Sequence, residues 1–296
     1  MIERLTRVWD NKLRCYNMNR NYADLHVHTT YSDGTLTPAQ VVDAAVRGGV
    51  RMLSICDHNV IEGALEAAPI ARAAGIEFVR GVELDSMLLG CDTHILCYGA
   101  DFTNEPLLRI IRDARWRLDK MSDDLLIRMD PDYPALDVDE YNRMPMDRTL
   151  GGWKLLQYLV QKGVTKSLKE AMPFYDQYGV TYEQAGFLPT KAVVDAIHAA
   201  DGAAVLAHPE VTFGDKMEEG LLAALECGID GVECYYPKHS PELVQRLRDF
   251  CEEHGLLMTA GSDCHGAFGR SSVGDPQATV DQMRLSREIL EIMDLR

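Results

Sequence analysis

From Ala23 onward, short apolar runs alternate with segments whose apolar residues recur at helical spacing, and each helical segment closes on glycine just before the next run. The stretches "VVDAAVRGGVRMLSIC", "ARAAGIEFVRGVEL", "AIHAADGAAVLAHP", "LECGIDGVECYY" and "FCEEHGLLMTAGSD" repeat this pattern. Glycine there is the expected left-handed helix stop. "LTPAQVV" supplies a matching start: Thr37 caps, Pro38 suits the first helical position, and Gln40 completes a capping box. Strands alternating with helices predict parallel strands, in a barrel or a doubly wound sheet. The rhythm stops at about Asp101. Residues 101–188 are mostly helical and charge-rich, as in "NEPLLRIIRDARWRLDKMSDDLLIRM" and "WKLLQYLVQKGVTKSLKEAM", and read as an inserted subdomain. The plainer alternative is barrel helices joined by long loops. No internal repeat or low-complexity tract is visible.

Composition narrows the setting. A chain of 296 residues with 46% hydrophobic content buries a sizeable core without staples. A formal charge of −16 argues against a long nucleic acid as partner, because that contact usually needs a basic stripe. Any anionic substrate must then be drawn in by a local positive centre. The eight cysteines form no C-x-x-C pair and read as reduced thiols, which places the protein in the cytoplasm. No run of about 18 apolar residues is present to span a membrane. Residues 1–21 carry Arg4, Arg7, Lys12, Arg14 and Arg20 without an apolar stretch, and read as a basic arm or as an overlong start ahead of Met18.

The candidate chemistry lies where the apolar runs end. His26 and His28 sit one residue apart, and in a strand both project to the same face. Asp57 and His58 follow "RMLSI", Glu83 follows "EFVRGV", His94 opens "THILCYG", His208 follows "AAVLA", and Asp263 and His265 follow "LLMTAGS". Six of the nine histidines therefore fall at strand ends, the edge at which parallel α/β proteins gather their active-site loops. Convergent imidazoles and carboxylates there point to metal ions; isolated core or solvated histidines are the alternative for each position. Mixed ligands of this kind suit Mn²⁺, Fe²⁺ or Zn²⁺.

In order, "DLHVHTTYSDGTLTP", "CDHN", "GVELDS" with "THILCYG", "VLAHPE" and "GSDCHG" resemble the signature segments of the PHP (polymerase and histidinol phosphatase) domain family, over about residues 22–100 and 189–270. The resemblance implies a distorted (β/α)7 barrel, residues 22–100 and 189–296, interrupted by the helical insertion as a substrate-capping subdomain. It also implies two or three divalent ions. The insertion and "VECYYPKHSPE" look most like the branch acting on AMP, nucleoside 3',5'-bisphosphates or cyclic phosphates.

Carried over position by position, the family pattern gives His26, His28, Glu83 and Asp263 to a first metal. It gives Glu83, His94 and His208 to a second, with Glu83 bridging, and Asp33, His58 and His265 to a third. Asp24 and Asp57 are expected to orient the histidines from behind. Cations a few ångströms apart would ionise a bridging water near neutral pH and neutralise phosphoryl oxygens as that hydroxide attacks phosphorus. Catalysis would then rest on His26, His28, Glu83, Asp263 and His265. Arg112, Arg115, Arg117 and Arg148 are candidates to grip phosphate or sugar, with Arg115 and Arg148 foremost. Tyr235, Tyr236, Lys238 and His239 follow a strand and would line the pocket, with His239 expected to touch substrate. Two departures stand out: where this branch often reads "GRPHIA", the chain has "DRTLGGWKLL", with Trp153 at the position of a histidine, and Cys56 and Cys264 neighbour candidate ligands but point to the opposite face.

The leading expectation is thus a metal-dependent phosphoesterase acting on a small phosphorylated nucleoside or sugar. A metal-dependent C–N amidohydrolase also opens with H-x-H on a β/α barrel, but that class commonly bridges its metals with a modified lysine where this chain offers Glu83. A metal-binding regulatory module without turnover is the third reading, and would require a broken ligand set.

Overall fold

The computed structural model describes residues 21–285, so the expected N-terminal arm lies, but for Asn21, outside the described residues. Seven strands form one mixed sheet in sequential order: β1 (Tyr22–Asp24), β2 (Val50–Ile55), β3 (Glu77–Leu88), β4 (Cys91–Tyr98), β5 (Ala203–Leu206), β6 (Gly231–Tyr235) and β7 (Leu257–Ala260). The sheet bends back on itself. Beyond β1, residues 25–28 pair with residues 260–264: the Leu25 N–H donates to the Ala260 carbonyl (2.8 Å), His28 to Cys264 (3.0 Å), and Asp263 to His26 (2.8 Å). Closure thus runs through short irregular bridges rather than a regular ladder, which distorts the barrel.

The expectation of parallel strands holds for β1–β3 and β5–β7 and fails at β4. β3 and β4 form an antiparallel hairpin, and β4 runs antiparallel to β5 as well. Its two-residue turn, Leu89-Gly90, takes positive φ at both residues (53° and 76°), which suits the twist of a tight hairpin. The reversal places the N-terminal half of β4, with His94, at the mouth where the parallel strands end.

Alternation along the strands sorts the core. In β3, Val82 and Leu84 face outward to the helices while Val79 faces the barrel interior, with Glu83 and Asp85 following on the same inner side at the mouth. The interior floor is apolar, formed by Leu25, Met52, Cys56, Val79, Leu96, Tyr98, Val205 and Ala207, and the Tyr98 hydroxyl donates to the Leu25 carbonyl at 2.8 Å.

Helices α1 (Pro38–Gly48) and α2 (Glu62–Ala73) cover one flank; α9 (Thr190–His198), α10 (Pro209–Phe213), α11 (Met217–Cys227) and α12 (Pro241–His254) cover the other. The capping box at Thr37 and Gln40 is present, with bonds of 3.3 and 2.8 Å. Glycine stops the helices at Gly49, Gly75, Gly228 and Gly255, all with positive φ. After α9 the left-handed residue is Asp201 (φ 56°) and not Gly202, because a Cβ on Gly202 would strike Ala100, so the glycine there serves packing.

Between β4 and α9 lie α3 (Glu105–Met129), α4 (Val138–Arg143), α5 (Lys154–Gln161), α6 (Leu168–Ala171), α7 (Phe174–Gln177) and α8 (Tyr182–Ala185). Asn104 caps α3, its Oδ1 accepting from the Leu107 N–H at 3.1 Å. Leu107, Ile111, Ala114, Leu118, Met121 and Leu125 recur at three- and four-residue spacing along its buried face. The first two pack on the barrel; the later ones join Leu155, Leu156, Tyr158 and Leu159 of α5 in a separate apolar cluster.

Candidate metal centre

Glu83 lies at the middle of the mouth with its side chain fully buried. Its Oε2 is 3.2 Å from both His26 Nε2 and His28 Nε2 and 3.3 Å from His58 Nδ1, while Oε1 is 3.0 Å from His94 Nδ1 and 3.3 Å from His208 Nε2. Five imidazoles from four different segments therefore converge on one carboxylate. Around it, donors fall into four groups that could each hold an ion: His28, Asp33, His58 and His265; His26, Glu83 and His208; His26, His28 and Asp263; and His58, Asp85 and His94. Asp263 Oδ1 lies 3.2 Å from His28 Nε2, and Asp33 Oδ2 lies 3.3 Å from His265 Nε2.

All nine candidate ligands read from the sequence thus meet at one mouth. His94 joins Asp85 and His58 as well as Glu83, a grouping the sequence did not suggest.

Some of these atoms hydrogen-bond one another, as His208 Nε2 does with Glu83 Oε1 at 3.3 Å, but others do not. Asp33 Oδ1, Glu83 Oε2, His94 Nδ1 and His208 Nδ1 are buried and have no hydrogen-bond partner among the described residues. Orphaned buried donors and acceptors are costly, and a cation among facing lone pairs is the simplest way to satisfy them. The chemistry of the set agrees, since imidazole nitrogen and carboxylate oxygen are ligands for first-row divalent ions.

Electrostatics point the same way. Although burial alone would raise its carboxyl, Glu83 is held well below the usual range by His26, His58 and His94. Burial would lower the pKa of His58, but Glu83 and Asp85 push it up to about 10; Asp33 and Asp263 likewise outweigh burial and lift His265 to about 9. The metal-free cluster therefore needs protons on its imidazoles to offset its carboxylates, the place divalent ions would take.

Three residues at the mouth hold positive φ without being glycine: Asn59 (51°), His208 (25°) and Asp263 (51°). Such strain persists where surroundings fix it. His208 is fixed by its own N–H, which donates to Glu233 Oε2 at 2.9 Å. Gly261 permits the approach of Glu233 to His26, since a Cβ there would overlap both side chains.

Neither Asp24 nor Asp57 bonds an imidazole directly. Asp24 accepts from the N–H groups of Ser262 (2.9 Å), Gly274 (2.8 Å) and His26 (3.4 Å). Asp57 accepts from the Thr29 N–H (2.7 Å), the Thr29 hydroxyl (2.7 Å) and the Ser32 hydroxyl (2.6 Å), tying down the loop that carries Asp33. Asp24 thus acts through the chain, while Asp57 also holds Ser32, whose hydroxyl lies 3.5 Å from His28 Nδ1. Two acids outside the sequence-based expectation hold the rings: Glu233 Oε1 lies 3.0 Å from His26 Nδ1, and Asp85 Oδ1 lies 3.1 Å from His58 Nδ1. Asp85 is two residues beyond Glu83 on one strand, so alternation already puts it on the same face. Glu233 lies in the middle of β6, so a search confined to strand ends passes over it. Cys56 and Cys264 keep their protons, burial raising their thiols to about 12 and about 11, and neither belongs to a donor group.

The arginines are engaged elsewhere. Arg112 pairs with Glu105, and Arg117 with Asp113 and the Ala185 carbonyl. Arg148 Nη1 donates to the carbonyls of Thr30 (2.9 Å) and Tyr31 (3.3 Å), while Arg115 binds Asp119 and stacks over Trp153 at 5.4 Å. Arg115 Nη1 also donates to the Tyr31 carbonyl at 3.5 Å, so both fasten the helical insertion to the loop before Asp33. Trp153, at the departure from the family pattern, stands 6.1 Å from the His58 ring, and the Tyr182 hydroxyl is 3.5 Å from His94 Nε2. His239 Nδ1 lies 3.0 Å from the Cys234 carbonyl, leaving Nε2 buried and unpartnered.

The match to known proteins accords with this mouth. A model of the PHP domain covers residues 24–184. The chain belongs to the PHP domain family. Among curated relatives, a 5'-3' exoribonuclease of Haemophilus influenzae is 28% identical over 90% of this chain and 97% of its own. A 3',5'-nucleoside bisphosphate phosphatase of Chromobacterium violaceum is 30% identical over 83% of this chain and 89% of its own. Among solved structures, one named as an amidohydrolase from Chromobacterium violaceum, with sulfate bound and no metal, superposes with a TM-score of 0.73 at 25% identity, covering 92% of this chain and 96% of that one. A putative metal-dependent phosphoesterase from Bifidobacterium adolescentis gives 0.69 at 25% identity, covering 92% and 95%. No described helix of this PHP protein is long and apolar enough to cross a membrane.

Proposed function

We propose that this PHP protein is a metal-dependent phosphoesterase that hydrolyses a small phosphorylated nucleoside or sugar, as a monoester or a cyclic phosphate. The observation that carries the reading is Glu83, one buried carboxylate with each oxygen facing a different set of imidazoles. Such a residue suits a bridge between two cations. His26, His28 and Asp263 would hold one ion, His94 and His208 a second, and Asp33, His58 and His265 a third. Mn²⁺, Fe²⁺ or Zn²⁺ fit these ligands. Bound there, divalent ions lower the pKa of a coordinated water and neutralise phosphoryl oxygens.

The chain's own groups do the rest. Glu233 and Asp85 set the rings of His26 and His58, and Tyr236 donates its hydroxyl to Asp263 Oδ2 at 3.0 Å, fixing that carboxylate. The helical insertion caps the mouth, bringing Trp153 and Tyr182 over the imidazoles and excluding bulk water. Arg115 and Arg148 lie at the seam between cap and barrel, where a small rotation frees their donors for substrate, and His239 offers an unpartnered acceptor to a substrate hydroxyl. The described thiols are unpaired, in keeping with a cytoplasmic setting.

The test is a panel run on metal-analysed protein, with phosphate release measured for AMP, a nucleoside 3',5'-bisphosphate and a cyclic phosphate. Release from at least one, abolished by chelation and restored by metal, is expected; silence across the panel overturns the reading. A second reading, exoribonuclease, is favoured by the relative matching over 90% of the chain. A 5'-phosphorylated oligoribonucleotide in the same panel decides it. Against C–N hydrolysis stands Glu83, which occupies the bridging place that a modified lysine commonly fills in that class.

A further inference from the structure

A cavity of about 360 Å³ lies between α12 and residues 276–282, and no candidate metal ligand lines it. It borders the metal mouth through Tyr236, whose hydroxyl donates to Asp263 while its ring packs on that of His239 at 5.1 Å. Pro241, Val244, Gln245 and Arg248, at three- and four-residue spacing, form the α12 wall. Tyr235 ties the two walls together, its hydroxyl donating to the Gln282 carbonyl at 3.0 Å. Two amides on the lining are already engaged: Gln245 Nε2 donates to Asp249 Oδ1 at 2.7 Å, and Gln282 Oε1 accepts from the Thr279 N–H at 2.8 Å. Two buried nitrogens are not. Arg248 Nε and His239 Nε2 have no hydrogen-bond partner among the described residues, and His239 is only 8% exposed. Nor does Arg248 form an ion pair among them, although its helix neighbour Arg246 pairs with Glu218. Buried polar atoms left this way are costly until a partner arrives. The two ask for opposite partners. Arg248 offers N–H donors on a planar fork that matches a carboxylate. The Cys234 carbonyl, 3.0 Å from His239 Nδ1, fixes the ring proton there, and burial keeps the ring neutral by holding its pKa below the ordinary value. Nε2 is then an acceptor, and it takes a hydroxyl.

We propose that this cavity binds a small hydroxy carboxylate, its carboxylate on Arg248 and its hydroxyl on His239. Arg248 is the one cation on the lining, so a monoanion is matched whereas a doubly charged phosphate leaves a charge without a partner. The volume lies at the small end of the range of about 300–1,000 Å³ for ligand pockets, which suits a molecule of this size. Binding here is independent of the phosphoesterase reading; its consequence rests on that reading. His239 Nε2 cannot serve the bound ligand and a substrate hydroxyl at once, so the hydroxy acid competes with substrate, raising KM and leaving kcat unchanged.

The experiment titrates lactate into the full chain loaded with manganese and reads binding by calorimetry. Propionate, which lacks the hydroxyl, and propane-1,2-diol, which lacks the carboxylate, serve as controls. One lactate per chain is expected, with both controls weaker. Arg248→Met is expected to weaken lactate at least about tenfold, as for the loss of a charge-assisted contact. Arg248→Lys, which keeps the charge but not the fork, should lose less and guards against a variant that merely fails to fold. No binding, equal binding of propionate, or lactate affinity untouched by Arg248→Met overturns the proposal. The titration is repeated on chelated protein, where binding is expected to persist. Binding that vanishes with the metal and survives Arg248→Met puts the carboxylate on the ions instead, and also overturns it. Lactate is then added to the phosphate-release assay: a rise in KM at constant kcat is expected, and a bound lactate that leaves KM unchanged overturns the competition for His239. If no ester is hydrolysed while lactate binding follows Arg248, the cavity assignment stands and the phosphoesterase reading falls. If esters are hydrolysed and lactate does not bind, the reverse holds.

Discussion

Glu233 and His26 form a fully buried pair, Oε1 to Nδ1 at 3.0 Å, while the other carboxylate oxygen of Glu233 takes the backbone N–H of His208 at 2.9 Å. One acid thus sets the ring plane of one candidate ligand and the strained backbone of another. Carboxylates in this position fix tautomer and orientation, and their loss costs about 10–100-fold in metal affinity. Glu233→Gln, which keeps the volume, is expected to weaken metal retention by that factor in a chelator competition. Retention equal to wild type would deny Glu233 this role.

Glu83→Gln should be more severe, because the substitution removes charge from the point where five imidazoles meet. More than about 100-fold loss of metal affinity is expected, with the metal content falling at more than one site. Elemental analysis after dialysis reads it; loss of a single ion with the others retained contradicts a bridging position.

The imidazoles predict how pH acts on the metal-free chain. His58 and His265 are lifted to about 10 and about 9 from an ordinary 6.5, so their protonated forms favour the folded state. That stabilisation is complete below about pH 6.5 and disappears as pH rises through 9 to 10. The Tm of chelated protein is therefore expected to fall over this interval. Metal-loaded protein, whose ligated rings carry no such protons, should show a flatter profile, and parallel profiles would count against ligation by these rings.

Arg148 offers a test of the cap. Its guanidinium joins the insertion to the carbonyls of Thr30 and Tyr31, next to the loop carrying Asp33. Arg148→Ala is expected to raise KM about fivefold, the equivalent of about 1 kcal/mol, with a small effect on Tm. An unchanged KM for every substrate would remove both the latch and any direct contact from consideration.

Much of this site is legible in the sequence because strand alternation and helix stops are local. The capping box at Thr37, the glycine stops and the shared face of His26 and His28 all follow from spacing alone. What stays hidden depends on long-range pairing. The reversal of β4 shows only once Asp85 is set opposite His94 across the hairpin. The contact of Glu233 with His26 spans 207 residues. The arginines of the insertion depart from expectation for a similar reason: the sequence shows a charge but not the carbonyls of Thr30 and Tyr31 that engage it.

Closure of the barrel by residues 25–28 against residues 260–264 has a bearing on biosynthesis. His26 and His28 emerge from the ribosome well before Asp263 and His265, so a nascent chain holds only fragments of the constellation until β7 and the segment after it dock. The two donor groups that include Asp263 or His265 are therefore complete only once translation has run past those residues.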